Sequence, residues 1–362
     1  MTPEFPGCSI VATLATDARF ALYRGRLEDG TSVLVECTRM RARSDDRARL
    51  RRAHALGKEL GDAVTPRAIG FVEHAELFGV MREDPGGTTL ETILATQRLP
   101  LETALAYAAA VARALAVLAA QGVVHRDITP RSILVREHDN AAFLVHFTSA
   151  GRTGDESLRT PNPDAPEGTL VYMAPEQTGR TNRPVDHRAD FYALGAVLYE
   201  MLTGSLPFTS QEPMALVHAH LARAPKPPHE LEPSVPPAIS RIVLKLLAKS
   251  ADDRYQSARG IAADIGMCIE RLRTSGRVDP FPLGGQDRPT MLTSAVRLYG
   301  RDAERETLSA AVDRARRGGR EMFAIQGAEG MGKTALVIDM FARTAADDAY
   351  LASEEPKPRR SY

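Results

Sequence analysis

Two stretches of this 362-residue sequence combine residue types that could do chemistry. In the first, His125, Arg126 and Asp127 follow a long Ala-rich segment, and a carboxylate held at a fixed point can act as a general base. In the second, a glycine-rich turn ends in Lys333 and Thr334, a combination that suits the binding of phosphate groups and Mg²⁺. The sequence therefore offers two separate candidate sites.

Further motifs follow the first stretch in a fixed order. Residues 168–176 read Gly-Thr-Leu-Val-Tyr-Met-Ala-Pro-Glu, residues 190–195 read Asp-Phe-Tyr-Ala-Leu-Gly, and residues 253–255 read Asp-Arg-Tyr. Together with the His-Arg-Asp stretch, these motifs resemble the catalytic loop, activation segment and large lobe of protein kinases. The resemblance implies that Asp127 is the catalytic base and that His125 and Arg126 support it.

The same resemblance implies structural roles in the large lobe. Glu176 would form a buried bidentate ion pair with Arg254. Asp190 would brace the catalytic loop, and Gly195 belongs to the same scaffold. Because this set of residues is present, we expect a folded domain.

Two stretches narrow the resemblance. Residues 176–190 (Glu-Gln-Thr-Gly-Arg-Thr-Asn-Arg, then Asp-His-Arg-Ala-Asp) and residues 298–301 (Leu-Tyr-Gly-Arg) are similar to large bacterial hybrid kinases. Those proteins join a serine/threonine-kinase-like domain to an AAA-type ATPase, a GAF domain and often a histidine kinase. The likeness covers residues 10 to about 353, which is nearly the whole chain.

Several parts that handle ATP are replaced. Protein kinases use a small-lobe Lys paired with a helix Glu, a metal-binding Asp and a catalytic-loop Asn. Here Glu36 stands at the position of the Lys, and Ala53 stands at that of the helix Glu. His146 replaces the metal-binding Asp, and Ser132 replaces the Asn. Imidazole is a poor ligand for Mg²⁺, because that ion prefers hard oxygen atoms.

The lid and the catalytic loop also depart from the family. Residues 14–20, where kinases have a glycine-rich lid, contain no glycine, so side chains would keep the backbone away from phosphate. The basic residue expected two positions after Asp127 is Thr129. Because only Asp127 remains of the catalytic parts, we expect neither ATP nor Mg²⁺ in the kinase cleft.

The second site matches the pattern G-x-x-x-x-G-K-[ST] at every position. A short apolar strand is predicted over residues 321–326 and a helix over residues 335–342, which is the setting of a P-loop. Backbone N–H groups would bind the phosphates, Lys333 would reach the β- and γ-phosphates, and Thr334 would hold Mg²⁺. If this loop binds a nucleotide, its ligands are ATP and Mg²⁺; its residues are Gly327, Gly330, Gly332, Lys333 and Thr334.

The periodicity of apolar residues predicts the elements that position these sites. Short β-type runs fill residues 9–82, with a charged helix over residues 45–60. Helices are then predicted over residues 101–120, 189–202, 214–222, 238–248 and 258–273, with another over 298–317. The predicted fold is an α+β two-lobed protein-kinase fold, followed by the start of an α/β P-loop NTPase domain.

Domain boundaries follow from composition. The kinase-like domain is predicted over residues 1–275, with a small lobe over about 9–83 and a large lobe over about 84–275. Residues 276–297, rich in Gly, Pro, Ser, Thr and Asp, read as a linker. The AAA-type domain, residues 298–362, lacks later strands of a doubly wound NTPase, so we expect it to be truncated and its P-loop to be idle.

Composition excludes some partners. Lys plus Arg and Asp plus Glu both total 46, so no overall charge favours nucleic acid or an anionic membrane. Cys8, Cys37 and Cys268 form no CxxC pair, which argues against disulfides and structural zinc. The Ala-rich stretch over residues 104–124 is interrupted by Arg113 and reads as a buried helix. We expect a cytoplasmic protein without a secretory leader.

Three functions compete. We favour a pseudokinase that signals by binding other signalling proteins through its large lobe and activation segment. An atypical active serine/threonine kinase is the alternative, and an ATP-binding switch acting through the P-loop is the second alternative. Hydroxyl groups in the activation segment could receive phosphate from another kinase; they belong to Thr153, Ser157, Thr160 and Thr169.

Overall fold

In a computed structural model of the protein, the apolar runs near the N-terminus form a five-stranded antiparallel sheet. The structure describes residues 5–288 apart from 40, 75, 154, 156–166 and 182, and then residues 302–316, 325, 326 and 336. Two compact units, Met1–Thr290 and Met291–Tyr362, make up the chain.

The sheet of the small lobe has the spatial order β1-β2-β3-β5-β4. Its two faces bury different sets of side chains, because successive residues of a strand point to opposite sides. Val33, Val35 and Cys37 pack on the outer face, whereas Leu34 and Glu36 face the large lobe. The strands are β1 (Cys8–Thr16), β2 (Phe20–Leu27), β3 (Ser32–Thr38), β4 (Ala68–His74) and β5 (Leu77–Glu83).

Helix α1 (Ser44–Leu60) connects β3 to β4. Asp45 and Asp46 lie in its first turn, where carboxylates are favoured by the helix dipole. The helix ends at Gly61, whose φ of 76° suits glycine. Its buried face includes Leu50 and Ala53 and lies between the sheet and the large lobe.

Short strands and helices surround two central helices in the large lobe. These helices are α3 and α4, which pack on each other and contribute many of the buried apolar side chains. The elements are β6 (Thr88–Thr89), α2 (Leu90–Thr96), α3 (Leu101–Ala120), β7 (Val123–Val124), β8 (Ile133–Arg136), β9 (Ala141–Leu144), β10 (Gly151–Arg152), α4 (Arg188–Thr203), α5 (Pro213–Ala222), α6 (Pro228–Leu231), α7 (Pro237–Leu246) and α8 (Ala258–Ser275).

Helix α3 is long and apolar enough to cross a membrane by length and composition alone. In the structure, 67% of its most apolar 18-residue window is buried inside the protein. Its Ala residues allow close approach of α8, which packs along it. Helix α3 is thus a core helix of the large lobe.

The segment after α8 packs on the large lobe as far as residue 288. Val278 and Phe281 are buried in the core, and the Asp287 carboxylate accepts the backbone N–H groups of Gln256 and Ser257 at 2.8–3.1 Å. The predicted linker over residues 276–297 therefore begins with a docked segment. Its Gly- and Pro-rich composition indicates a linker, although two apolar side chains hold the segment in place.

In the second unit, the structure describes helix α9 (Asp302–Arg316), within the helix predicted over residues 298–317. Leu308 and Ala311 are its buried residues among those described. Ile325 and Gln326, from the predicted strand, have no regular secondary structure. The P-loop residues Gly327 to Thr334 lie outside the described part of the chain.

Candidate functional site

The catalytic-loop residues lie between β7 and β8, where two backbone groups are fixed by one carboxylate. Asp190, at the start of α4, accepts the N–H groups of His125 and Arg126, each at 2.8 Å. Arg126 has a φ of 70°, a left-handed conformation that is uncommon for a residue with a side chain. The two hydrogen bonds to Asp190 hold the backbone in this conformation.

His125 is a buried, neutral imidazole. Its Nε2–H donates to the Val145 carbonyl at 3.0 Å, and its Nδ1 accepts the N–H of Asp127 at 3.4 Å. Burial lowers the pKa of His125 to about 4, since the charged form would lose its hydration. The imidazole therefore joins the catalytic loop to the segment that precedes His146.

Asp127 is partly exposed, and one of its carboxylate oxygens is already occupied. Its Oδ1 accepts the backbone N–H of Thr169 at 2.7 Å. The residue before Thr169 is Gly168, with a φ of 114°, and a β-carbon there would lie 2.7 Å from the Arg126 carbonyl oxygen. Glycine thus allows the activation segment to approach the base closely.

Ser132 and Thr129 bond to the loop itself. The Ser132 Oγ donates to the Asp127 carbonyl at 2.8 Å and accepts the Thr129 N–H at 2.9 Å. Both side chains are buried. The hydroxyl at the position of the catalytic-loop Asn is therefore turned to the backbone and closes the loop.

Glu36 and His146 form a buried hydrogen bond between the lobes, which is an ion pair when the imidazole is protonated. The His146 Nδ1 lies 3.2 Å from Glu36 Oε1, and neither residue is more than slightly exposed. Burial alone would raise the pKa of Glu36, but the hydrogen bond and positive charge of His146, with the charge of Arg82, hold that pKa below its usual range. Two positions that contact phosphate and metal in kinases thus contact each other.

Arg82, at the end of β5, was missed by the sequence analysis. It is fully buried and donates from Nη2 to the Ala53 carbonyl at 3.1 Å and from Nη1 to the Pro66 carbonyl at 3.2 Å. Gly57 leaves room for its guanidinium, because a β-carbon there would overlap Nη1. The only indication of this role in the sequence was a single Arg within a largely apolar strand. Arg82 joins α1 to the sheet where Ala53 replaces the helix Glu.

The space beneath the lid is filled by apolar side chains from both lobes. Leu22 and Leu34 of the small lobe pack with Leu134 and Val145 of the large lobe, and all four are fully buried. The lid also bonds to the large lobe, since Arg131 Nη1 donates to the Thr16 carbonyl at 2.9 Å. The lobes therefore meet directly where a kinase lid would cover a nucleotide.

The large-lobe scaffold residues form an ion pair and a close contact between helices. Arg254 donates to both carboxylate oxygens of Glu176, at 2.6 and 2.8 Å, and both side chains are buried. Gly195 allows α4 to approach α7, because a β-carbon there would lie 2.6 Å from the Leu246 Cβ. The ion pair fixes the end of the activation segment to the large lobe.

Comparison with protein families agrees with this architecture. Residues 39–263, more than half of the chain, match the protein kinase domain. The chain belongs to the protein kinase domain family. Residues 297–360 match an AAA ATPase domain. The predicted fold class, a two-lobed kinase fold followed by part of an AAA-type domain, is confirmed.

Several curated proteins resemble this kinase domain. A hybrid signal transduction histidine kinase G from Dictyostelium discoideum is 36% identical over 189 residues, which is 47% of this chain and 6% of that protein. Serine/threonine-protein kinase Pkn1 from Myxococcus xanthus is 39% identical over 167 residues, 45% of this chain and 24% of Pkn1. Serine/threonine-protein kinase PknB from Mycolicibacterium smegmatis is 34% identical over 209 residues, 57% of this chain and 32% of PknB. The chain thus spans a third or less of the length of each of these relatives.

The kinase family implies ATP and Mg²⁺, but the residues of this kinase cleft do not fit them. Glu36 presents an anion where a cation should meet the phosphates, and it is already paired with His146. Ser132 directs its hydroxyl to the backbone.

The buried imidazole of His125 predicts a loss of stability in acid. Its pKa is about 4 in the folded protein and about 6.5 when exposed, so the unfolded chain binds the proton first. The contribution is complete above pH 6.5 and is lost as the pH falls towards 4, by about 2–3 kcal/mol. Urea unfolding between pH 7.5 and 4.5 should show that the free energy of unfolding changes less with pH in His125→Asn than in the unmodified protein. The control is His138→Asn, since that side chain is 75% exposed; equal slopes in all three proteins would contradict the prediction.

Proposed function

We propose that this protein is a pseudokinase, which signals by binding other signalling proteins and does not transfer phosphate. The observation that carries the proposal is the buried ion pair between Glu36 and His146. It joins the position of the phosphate-binding Lys to that of the metal-binding Asp. Both groups that kinases use to neutralise ATP are thereby replaced by one internal contact.

The energetics of transfer support the same function. Metal ions stabilise the charge of the transition state by several kcal/mol. A positioned base raises the rate by a factor of about 10² to 10⁴. Asp127 alone could supply only the second effect, and its Oδ1 already accepts the N–H of Thr169. A catalytic base that acts without metal ions and without the small-lobe Lys would support very little phosphate transfer.

The ordered surface of the large lobe supports a binding role. The end of the activation segment is held by Glu176 and Arg254, and Thr169 is fixed to the catalytic loop. A preorganised segment loses little conformational freedom when a partner binds. We propose that this segment and the adjoining large-lobe helices dock a signalling partner in the cytoplasm, and that the chain works within a hybrid kinase architecture.

An atypical active kinase is the competing function, because relatives are named serine/threonine-protein kinases and Asp127 is held in place. A radiolabelled-ATP assay of the full chain with Mg²⁺ and a basic protein substrate separates the two. We expect no label on the substrate above that given by Asp127→Asn. Label that is lost in Asp127→Asn but kept in Lys333→Ala would establish a kinase and overturn the proposal.

An ATP-binding switch is the second candidate, favoured by the match of residues 297–360 to an AAA ATPase domain. It requires the P-loop to bind Mg·ATP, with Lys333 at the phosphates. Isothermal titration of the full chain with Mg·ATP tests this candidate. Under the pseudokinase proposal we expect no micromolar binding, whereas binding abolished by Lys333→Ala would favour the switch.

A further inference from the structure

One carboxylate of the activation segment lies between guanidinium groups of the two lobes. Glu167 Oε1 accepts from Arg49 Nη2 at 2.8 Å, and Glu167 Oε2 lies 2.7 Å from Arg126 Nη1. Arg49 is on helix α1 of the small lobe, and Arg126 belongs to the catalytic loop of the large lobe. We call Arg49, Glu167 and Arg126 the Glu167 triad. Its side chains are largely buried, with exposed fractions of 18%, 29% and 5% respectively.

The start of the activation segment also contacts helix α1. Arg152, in β10, forms an ion pair with Glu59 in the last turn of α1. Arg49 and Glu59 are ten residues apart, which is about 15 Å along a helix. Arg152 and Glu167 of the activation segment thus pair with two positions of helix α1 through charges of opposite sign.

The Glu167 triad is continuous with the contact that covers Asp127. Gln177 Nε2 donates to the Arg126 carbonyl at 2.8 Å and to the Glu167 carbonyl at 3.4 Å. Two residues after Glu167, the Thr169 N–H donates to Asp127 at 2.7 Å. A movement of Glu167 would therefore disturb the segment that lies on the catalytic base.

The charges of this site suit an anion of more than one negative charge. Two guanidiniums point at one carboxylate, although Arg49 also bonds to Asp45 at 3.0 Å. Burial lowers the pKa of Arg126, and the positive charge of Arg52 lies close enough to lower it further. A phosphorylated side chain carries about −1.5 to −2 at neutral pH and orders kinase activation segments by pairing with Arg. Glu167 supplies a permanent charge of the same sign to the same kind of guanidinium group.

We propose that Glu167 replaces an activation-segment phosphate, so that the Glu167 triad holds helix α1 and the activation segment together without phosphorylation and without nucleotide. The triad takes over from the Lys–Glu ion pair, which is missing at Glu36 and Ala53. This inference does not depend on whether the chain transfers phosphate, because the triad contains no group that contacts a substrate.

The test is amide hydrogen exchange of the full chain, read in peptides from helix α1. Glu167→Gln and Glu167→Ser should raise exchange in α1 by about fivefold to tenfold, since each leaves Arg49 and Arg126 without their shared partner. Phosphoserine installed at position 167 should restore protection to the level of the unmodified protein. Exchange unchanged in Glu167→Gln, or no difference between serine and phosphoserine, would overturn the proposal.

Two further variants keep the test decisive. Glu73→Gln breaks the ion pair with Arg47, which joins the same helix to β4 within the small lobe, and should change exchange in α1 far less. Arg49→Gln removes the member of the triad that lies on helix α1. It should raise exchange in α1 as Glu167→Gln does, and combining the two should raise it no further. Additive effects of Arg49→Gln and Glu167→Gln would show that the triad is not one unit and would count against the proposal.

Discussion

A buried carboxylate needs a compensating charge, and in this protein the partner of Glu36 is His146. Glu36 lies on the small-lobe sheet, and His146 lies in the turn that leads from β9 towards the activation segment. Their ion pair joins the two lobes at the centre of the cleft. Because both side chains are almost completely buried, the interaction is less screened than a surface pair would be. We expect the packing of the two lobes against each other to depend on this contact.

Two positions in the cleft carry groups that differ in charge from those that bind nucleotide in protein kinases. Protein kinases bring a cation to the phosphates and hold metal ions with carboxylates. This chain places an anion on β3 and an imidazole at the metal position, and it buries Arg82 against helix α1. Polyphosphate entering the cleft would meet the charge of Glu36 and would have to separate the ion pair. The scaffold contacts of Glu176 and Asp190 are present.

Sequence reasoning succeeded where local pattern determines structure. Helix α3 has the predicted bounds, because an Ala- and Leu-rich run of high helix propensity has few alternatives. The residues at kinase motif positions could be named individually for the same reason, since motif order fixes their place on the fold. The two-lobed fold was predicted from these patterns and confirmed by the family match.

Contacts between distant residues that belong to no family motif were beyond the sequence analysis. Glu36 and His146 are 110 positions apart, and nothing in either local sequence indicates the other. Arg82 and Glu167 matched no motif, because they act through the shape of the fold and not through a family pattern. The docked segment over residues 276–288 was hidden by its turn-forming composition, which is typical of linkers as well. Each of these needed the three-dimensional arrangement to bring a partner within reach.

The most direct measurement is a double-mutant cycle on the ion pair between Glu36 and His146. Urea unfolding of the full chain at pH 7, followed by far-UV circular dichroism, would compare Glu36→Gln, His146→Gln and the double variant. Each single change should lower the free energy of unfolding, and the double variant should lose about 1–3 kcal/mol less than the sum of the two. Losses that add to within about 0.5 kcal/mol would mean that the two side chains do not stabilise each other, and would contradict the account.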